Sequence, residues 1–148
     1  MGKLTIVIPG PIVPYPRHRT RVIIMPGKDG KPRGLPQNYL PAKARAYLDD
    51  LAFRARVALG THWTADKDSA YTVSMTAEFG VPKSWPKARR AGALDGTVRH
   101  TSKPDADNIL KLMDGLTGVV WRDDAQVVEA TVTKAYGPVE QLTITVER

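Results

Sequence analysis

Cysteine is absent from this chain of 148 residues, which excludes disulfide bonds, thiolate zinc sites and cysteine nucleophiles. Long apolar runs are missing as well, since no stretch approaches the roughly 18 to 20 residues that a membrane span requires. The N-terminal residues are too few and alternate too strictly for a signal peptide. We therefore expect a cytoplasmic protein without a membrane segment.

Acidic side chains are scarce relative to basic ones. Asp and Glu number 15 against 22 for Lys and Arg, which leaves a formal net charge of +7. A positive surplus of this size favours a polyanionic partner such as nucleic acid. From charge alone, the alternative is a soluble protein that happens to be basic.

The chain length predicts one domain that spans residues 1–148. Its class is α/β (α+β), with a small mixed β-sheet of about four to five strands flanked by two helices. Tyr136-Gly137-Pro138 predicts a turn that joins the last two strands in an antiparallel hairpin. The predicted strands cover residues 3–9, 70–79, 126–135 and 142–147, and the predicted helices cover 42–59 and 107–117.

Two segments, 11–41 and 81–103, are predicted as loops. The first is too rich in proline to pack as one continuous element, apart from a short strand at 22–25. The second is long, which is usual for a functional or a disordered loop.

Both predicted loops carry clustered cations. Such clusters, with an aromatic side chain among them, suit neutralisation of phosphates and stacking on bases. A solvated basic loop is the alternative. The candidate DNA-contacting residues are Arg17, Arg19, Lys83, Trp85, Lys87, Arg89, Arg90, Arg99 and Lys103.

Acidic residues concentrate on either side of the predicted second helix. Asp105 and Asp107 stand at its entrance, and Asp123-Asp124 follow it. If the chain folds back so that the two ends meet, the carboxylates form a site of hard oxygen ligands, for which Mg²⁺ is the natural cation. Lys111, one helical turn after Asp107, would then face the same pocket and stabilise charge that develops on a phosphate.

Each of these residues also has an ordinary structural interpretation. Asp107 can be a helix N-cap and Asp123-Asp124 can be turn residues. Lys111 and Asp114 can form an exposed ion pair that contributes little. A calcium loop of the EF-hand type is excluded, because Leu110 occupies the position of its glycine.

Several short segments together form a pattern that is more specific than any one of them. The combination of Asp-x-Asp-Asn with Asp-Asp-x-Gln is its most specific part, and the strong similarity covers residues 81–137. The segments are Val81-Pro82-Lys83-Ser84-Trp85, Lys103-Pro104-Asp105-Ala106-Asp107-Asn108, Lys111, Gly118-Val119-Val120-Trp121, Asp123-Asp124-Ala125-Gln126-Val127-Val128 and Lys134-Ala135-Tyr136-Gly137. This pattern closely resembles the RusA family of Holliday junction resolvases, small nucleases of bacteria and their prophages.

The resemblance implies a homodimeric, Mg²⁺-dependent endodeoxyribonuclease, with Mn²⁺ as a substitute metal and no small-molecule cofactor. Such an enzyme resolves four-way DNA junctions by paired symmetric nicks during recombination and repair, and would be nucleoid-associated. The catalytic acids fall on Asp105, Asp107 and Asp124, which would bind the metal together with the adjacent Asp123. The essential lysine falls on Lys111.

The chain departs from the family's pattern in two places. Some members carry an aromatic residue just before the first aspartate, where residues 101–103 here are Thr-Ser-Lys. Distortion of the junction would then fall to Trp85 or His100. The helical acid Asp114 stands slightly early, so no catalytic role is assigned to it. A non-catalytic DNA-structure-binding protein and a less selective Mg²⁺-dependent nuclease are the alternative functions.

Overall fold

The computed structural model describes residues 2–17 and 19–148. Strands and α-helices follow one another as β1 Lys3–Pro9, β2 Arg19–Pro26, β3 Pro32–Tyr39, α1 Ala42–Leu59, β4 Tyr71–Gly80, α2 Lys87–Asp95, α3 Ala106–Leu110, β5 Val127–Gly137 and β6 Gln141–Glu147. Two 3₁₀ helices, Lys111–Leu116 and Asp124–Gln126, lie between α3 and β5. None of the helices in the described part of the chain combines the length and apolar character needed to cross a membrane.

Four strands form a mixed sheet in the order β1-β6-β4-β5. The pairs β1–β6 and β6–β4 are antiparallel, whereas β4 and β5 are parallel. Strands β2 and β3 form a separate antiparallel hairpin. The predicted fold class is therefore confirmed, with a third α-helix and this second small sheet in addition.

Alternation along the strands places the core on one face of the sheet. Ile6 of β1, Ile144 of β6 and Met75 of β4 are register partners, and all are buried. Helix α1 covers this face and lies where the apolar spacing predicts it. Its buried residues are Ala44, Tyr47, Leu51 and Ala55.

The connection between β4 and β5 contains most of the candidate site residues. Because these strands are parallel, the chain must cross from the end of one to the start of the other. Residues 81–126 make that crossover and contain α2, α3 and both 3₁₀ helices. Both α2 and α3 pack against β5.

The predicted helix 107–117 is wrong in its bounds and type. The α-helical part, α3, covers Ala106–Leu110, and a 3₁₀ helix continues as Lys111–Leu116. Gly115 lies against α1 so closely that a Cβ there would stand 3.1 Å from Leu48 Cδ2. A glycine also favours helical geometry weakly, so the tighter 3₁₀ winding ends this segment. Asp107 lies in the first turn, and Asp105 occupies the N-cap position instead.

The predicted loops at 81–103 and 11–41 were also wrong in part. Helix α2 lies inside the first, between Pro86 and the left-handed Gly96. Ala93 is its one buried residue, so its apolar stripe is too weak to be recognised. The second loop contains the hairpin β2–β3, which includes and extends the strand predicted at 22–25. Its prolines are tolerated because a two-stranded ribbon consists of edge strands.

The antiparallel hairpin predicted for the last two strands does not form. Strand β4 lies between β6 and β5 and pairs with both. The turn at the end of β5 does reverse the chain, but turn chemistry does not specify which strand becomes the neighbour.

Candidate active site

Asp107 and Lys111 form the first contact of the candidate site. Asp107 lies in the first turn of α3, and Lys111 begins the following 3₁₀ helix. This spacing brings the side chains to the same side, with Lys111 Nζ 3.4 Å from Asp107 Oδ2. Both side chains remain more than half exposed, so the pair is available to a ligand and adds little to stability.

Asp114 and Asp124 form a second contact, between the two 3₁₀ helices. Partial removal from water and the neighbouring Asp124 carboxylate raise the pKa of Asp114, while Lys111 opposes the rise. Asp107, Lys111, Asp114 and Asp124 therefore form a continuous series of side chains, which we call the charged row.

The charged row includes Asp114, to which the sequence assigned no catalytic role. Its positions relative to Asp107 and Lys111 already place the three side chains on one helical face. What the sequence did not show is the contact with Asp124, which comes from the other side of the turn at 117–123.

Asp124 is fixed by two donors from that turn. The Trp121 indole Nε1 donates to Asp124 Oδ1 at 2.9 Å. The Thr117 hydroxyl donates to the same oxygen. Trp121 is fully buried, so the half-buried Asp124 is hydrogen-bonded directly to a residue of the core.

Asp123 and Gln126 form a capping box around the start of the second 3₁₀ helix. Asp123 Oδ1 accepts from the backbone N–H of Ala125 at 2.8 Å. Gln126 Oε1 accepts from the backbone N–H groups of Arg122 and Asp123, at 3.0 and 3.1 Å. Its Nε2 donates to two backbone carbonyl oxygens, those of Asp66 and Ser69, each at 3.0 Å. Gln126 therefore joins the Asp123-Asp124 turn to the loop before β4.

Asp105 lies at the start of α3, two residues before Asp107. It sits at the N-cap position of α3 but makes no side-chain capping hydrogen bond. It lines a cleft of about 310 Å³ together with Arg17 and Lys103. The backbone N–H of Tyr15 donates to the Asn108 carbonyl at 2.9 Å and holds the N-terminal segment against α3.

Within residues 2–17 and 19–148, no three acidic or histidine side chains lie close enough together to hold a metal ion. The expected convergence of carboxylates from the two ends of the 107–124 segment is therefore not seen; Lys111 pairs with Asp107, and Asp114 interacts with Asp124. The ligand set of Asp105, Asp107, Asp123 and Asp124 stays a prediction.

The predicted DNA-contacting cations lie on the surface. The exposed ones are Arg17, Arg19, Lys83, Lys87, Arg89, Arg90, Arg99 and Lys103. In the described part of the chain, none of them forms an ion pair with an acidic side chain. Their charge is therefore available to a polyanion.

Trp85 is half-buried and belongs to a small aromatic cluster with Phe79, His100 and Tyr136. Ring centroids lie 3.9 Å apart for Phe79–His100, 4.9 Å for His100–Tyr136 and 5.4 Å for Trp85–Tyr136. The Arg89 guanidinium lies 3.7 Å from the centre of the Trp85 ring. Through this aromatic cluster the crossover packs against the ends of β4 and β5. A role for Trp85 or His100 in junction distortion stays a prediction.

Comparison with known proteins identifies the family of this chain. The family model described as "Endodeoxyribonuclease RusA" matches residues 9–147. The chain is also 32% identical over 121 residues to "Uncharacterized protein YqaN" of Bacillus subtilis (strain 168), and the alignment covers 75% of this chain and 82% of that protein. The resemblance found in the sequence is confirmed, and the chain belongs to the RusA family of endodeoxyribonucleases.

Proposed function

We propose that this protein is a Mg²⁺-dependent, structure-specific endodeoxyribonuclease that resolves four-way DNA junctions by paired symmetric nicks during recombination and repair. The observation that carries the proposal is the charged row, in which Lys111 pairs with Asp107 and Asp114 interacts with Asp124 from the other side of one turn. It lies on a basic chain with a net charge of +7. Acids with a lysine suit phosphodiester hydrolysis, and the surrounding cations suit a DNA substrate.

The donor set of this region fits a hard divalent cation. Its acids offer only carboxylate oxygens, the ligands that Mg²⁺ prefers. The Asp124 carboxylate raises the pKa of Asp114, and a bound cation would relieve the repulsion between these two acids. We assign the metal to Asp105, Asp107 and Asp124, with Mn²⁺ as a substitute for Mg²⁺, and with Asp123 adjacent and using one oxygen for the capping box.

In the proposed reaction, water attacks the phosphorus atom, one P–O bond forms and the bond to the leaving oxygen breaks. When bound, the cation would neutralise phosphate oxygens and lower the pKa of the attacking water. Lys111, held by Asp107 at 3.4 Å, contributes a positive charge where negative charge develops. The exposed cations Lys87, Arg89 and Arg90 of α2 neutralise the DNA backbone and orient the substrate.

We propose that the active form is a homodimer. A four-way junction presents two equivalent strands related by a two-fold axis. Paired symmetric nicks need two active sites related by the same axis, which an isologous dimer supplies. Sedimentation of the protein with and without junction DNA tests this directly, and a monomer on the junction would contradict it.

The experiment that tests the function compares a labelled four-way junction with a linear duplex of matched sequence, in Mg²⁺ and in EDTA. Paired nicks in the junction alone, and only with Mg²⁺, are expected. Retention of the junction without any nick would favour a non-catalytic DNA-structure-binding protein. Equal cutting of the duplex would favour a less selective Mg²⁺-dependent nuclease.

A further inference from the structure

We infer that Trp121 and Thr117 form a clamp that orients Asp124 for metal binding, and that Trp121 is therefore a positioning residue of the site. The inference rests on the proposed function, because it concerns the carboxylate to which that function assigns the metal. It goes further by naming two residues that do not themselves bind the metal.

Both clamp residues donate to one and the same carboxylate oxygen. Trp121 Nε1 lies 2.9 Å from Asp124 Oδ1, and the Thr117 hydroxyl donates to that oxygen as well. Trp121 Nε1 also lies 3.2 Å from Thr117 Oγ1, so the three groups form a closed triangle. Donors to a charged acceptor form hydrogen bonds stronger than neutral pairs do. One oxygen of Asp124 is thus occupied within the protein, and the other is left for a ligand.

The clamp is rigid because its own residues are fixed. The Trp121 ring is completely buried and lies 5.8 Å from the ring of Tyr71, centre to centre. Thr117 and Trp121 face each other in an isolated β-bridge, and the Trp121 carbonyl accepts from the Gly118 N–H at 2.7 Å. Gly118 adopts a φ of 79°, a conformation in which glycine is favoured, so the turn closes without strain.

A fixed orientation of Asp124 has a defined consequence for metal binding. A carboxylate that rotates freely must lose that freedom when it binds a cation, whereas a clamped one has lost it already. Groups that hydrogen-bond to metal ligands typically change metal affinity by about 10- to 100-fold when they are removed. Trp121→Phe keeps the buried ring and deletes only the N–H donor. Thr117→Val deletes the hydroxyl at nearly constant size.

The matched control is Trp63→Phe. Trp63 Nε1 donates to the Val120 carbonyl at 2.9 Å, one residue away from Trp121. Its ring packs against the same Tyr71, with centroids 6.1 Å apart. The control therefore removes an indole hydrogen bond of the same kind, in the same cluster, without touching Asp124. Thr117→Ser is the conservative variant, since it retains the hydroxyl donor.

The test measures Mn²⁺ binding by the electron paramagnetic resonance signal of free Mn²⁺, on the full chain without DNA. Trp121→Phe and Thr117→Val should weaken binding by about 10- to 100-fold. Trp63→Phe and Thr117→Ser should bind as the wild type does. If Trp121→Phe does not fold, the Thr117→Val and Thr117→Ser pair decides the matter. Equal binding by Thr117→Val, Thr117→Ser and the wild type overturns the clamp.

Junction nicking is measured in parallel, so that failure of the clamp can be distinguished from failure of the proposed function. If the wild type nicks junctions while all four variants bind Mn²⁺ equally, the clamp is refuted and the proposed function survives. If Trp121→Phe and Thr117→Val weaken Mn²⁺ binding as expected but the wild type cuts no junction, the clamp survives and the proposed function is refuted. A wild type that binds no Mn²⁺ overturns the clamp, and its nicking in EDTA then decides whether hydrolysis proceeds without a metal.

Discussion

Lys111 Nζ lies 3.4 Å from Asp107 Oδ2, and its charge also acts on Asp114. Lys111 thus interacts both with Asp107, in the first turn of α3, and with Asp114, which in turn interacts with Asp124. A lysine in this position reduces repulsion within the charged row while the site is empty of substrate. In the proposed reaction, the same ammonium group would act on a phosphate bound at the charged row.

Asp107→Asn should abolish junction cleavage and leave junction binding unchanged or tighter. The substitution removes a carboxylate charge from the charged row, whereas affinity depends mainly on cations that contact phosphates. The measurement pairs a gel-shift titration with a single-turnover cleavage assay. Asp49→Asn, on the exposed side of α1, changes the net charge equally and serves as the control. Normal cleavage by Asp107→Asn would remove this residue from the site.

Lys111→Ala should slow cleavage by about 10²- to 10³-fold, the usual loss when one group that stabilises transition-state charge is deleted. Binding should weaken far less, because a single phosphate contact is lost among many. The control is Lys43→Ala on α1, which removes one exposed lysine far along the chain. A loss of binding as large as the loss of rate would mean that Lys111 only holds DNA.

Gln126→Glu should destabilise the fold by about 1–3 kcal/mol for each carbonyl that loses its donor. The isosteric change keeps an acceptor for the N–H groups of Arg122 and Asp123 but removes the donors to the carbonyls of Asp66 and Ser69. Urea unfolding should show a lower midpoint at constant slope.

Gln37→Glu is the control for this substitution. Gln37 uses its oxygen to accept from Arg21 Nε in the exposed hairpin, at 2.8 Å, and a glutamate can do the same. Its midpoint should match the wild type. An unchanged midpoint for Gln126→Glu would show that the bonds to the loop before β4 contribute nothing to stability.

The regular parts of the fold could be predicted because their pattern is local. Helix α1 and strand β4 carry an apolar period that is complete within the segment, and both lie where that period places them. Helix α2 could not be recognised, since only Ala93 is buried and the period is nearly absent. The neighbour of β5 could not be predicted either, because β4 and β6 compete for it through contacts distant in sequence.

The candidate site likewise has a part that could be predicted from local spacing and a part that could not. The pair Asp107–Lys111 follows from helical spacing alone. The contact of Asp114 with Asp124 depends on the path of the turn at 117–123, which no local pattern specifies. The indole donor of Trp121 could not be foreseen for the same reason, since a buried tryptophan reads in the sequence as a core residue.

Alanine substitutions of Lys87, Arg89 and Arg90 should weaken junction binding and leave the cleavage rate at saturating DNA unchanged. Each lost phosphate contact should make the plot of log affinity against log salt concentration shallower by about 0.9. The measurement is a titration repeated at several salt concentrations. Arg56→Ala, exposed in the last turn of α1, should keep both affinity and slope. Unchanged slopes in all three variants would place DNA elsewhere on the surface.

His100 should make the stability of the fold depend on pH. Burial, and next the charge of Lys134, lower the pKa of His100 below its ordinary value of 6.5. As the pH falls below 6.5, His100 therefore becomes protonated in the unfolded chain while it is still neutral in the folded chain. The stabilising contribution of neutral His100 is complete above pH 6.5 and is lost as the pH falls from there through the folded-state pKa.

His100→Phe keeps a ring beside Phe79 and Tyr136 and cannot be protonated, so it should lose this part of the pH dependence. Thermal unfolding between about pH 8 and pH 5 measures the difference, and the exposed His62→Gln should behave as the wild type does. Parallel curves for His100→Phe and the wild type would show that His100 does not carry the effect.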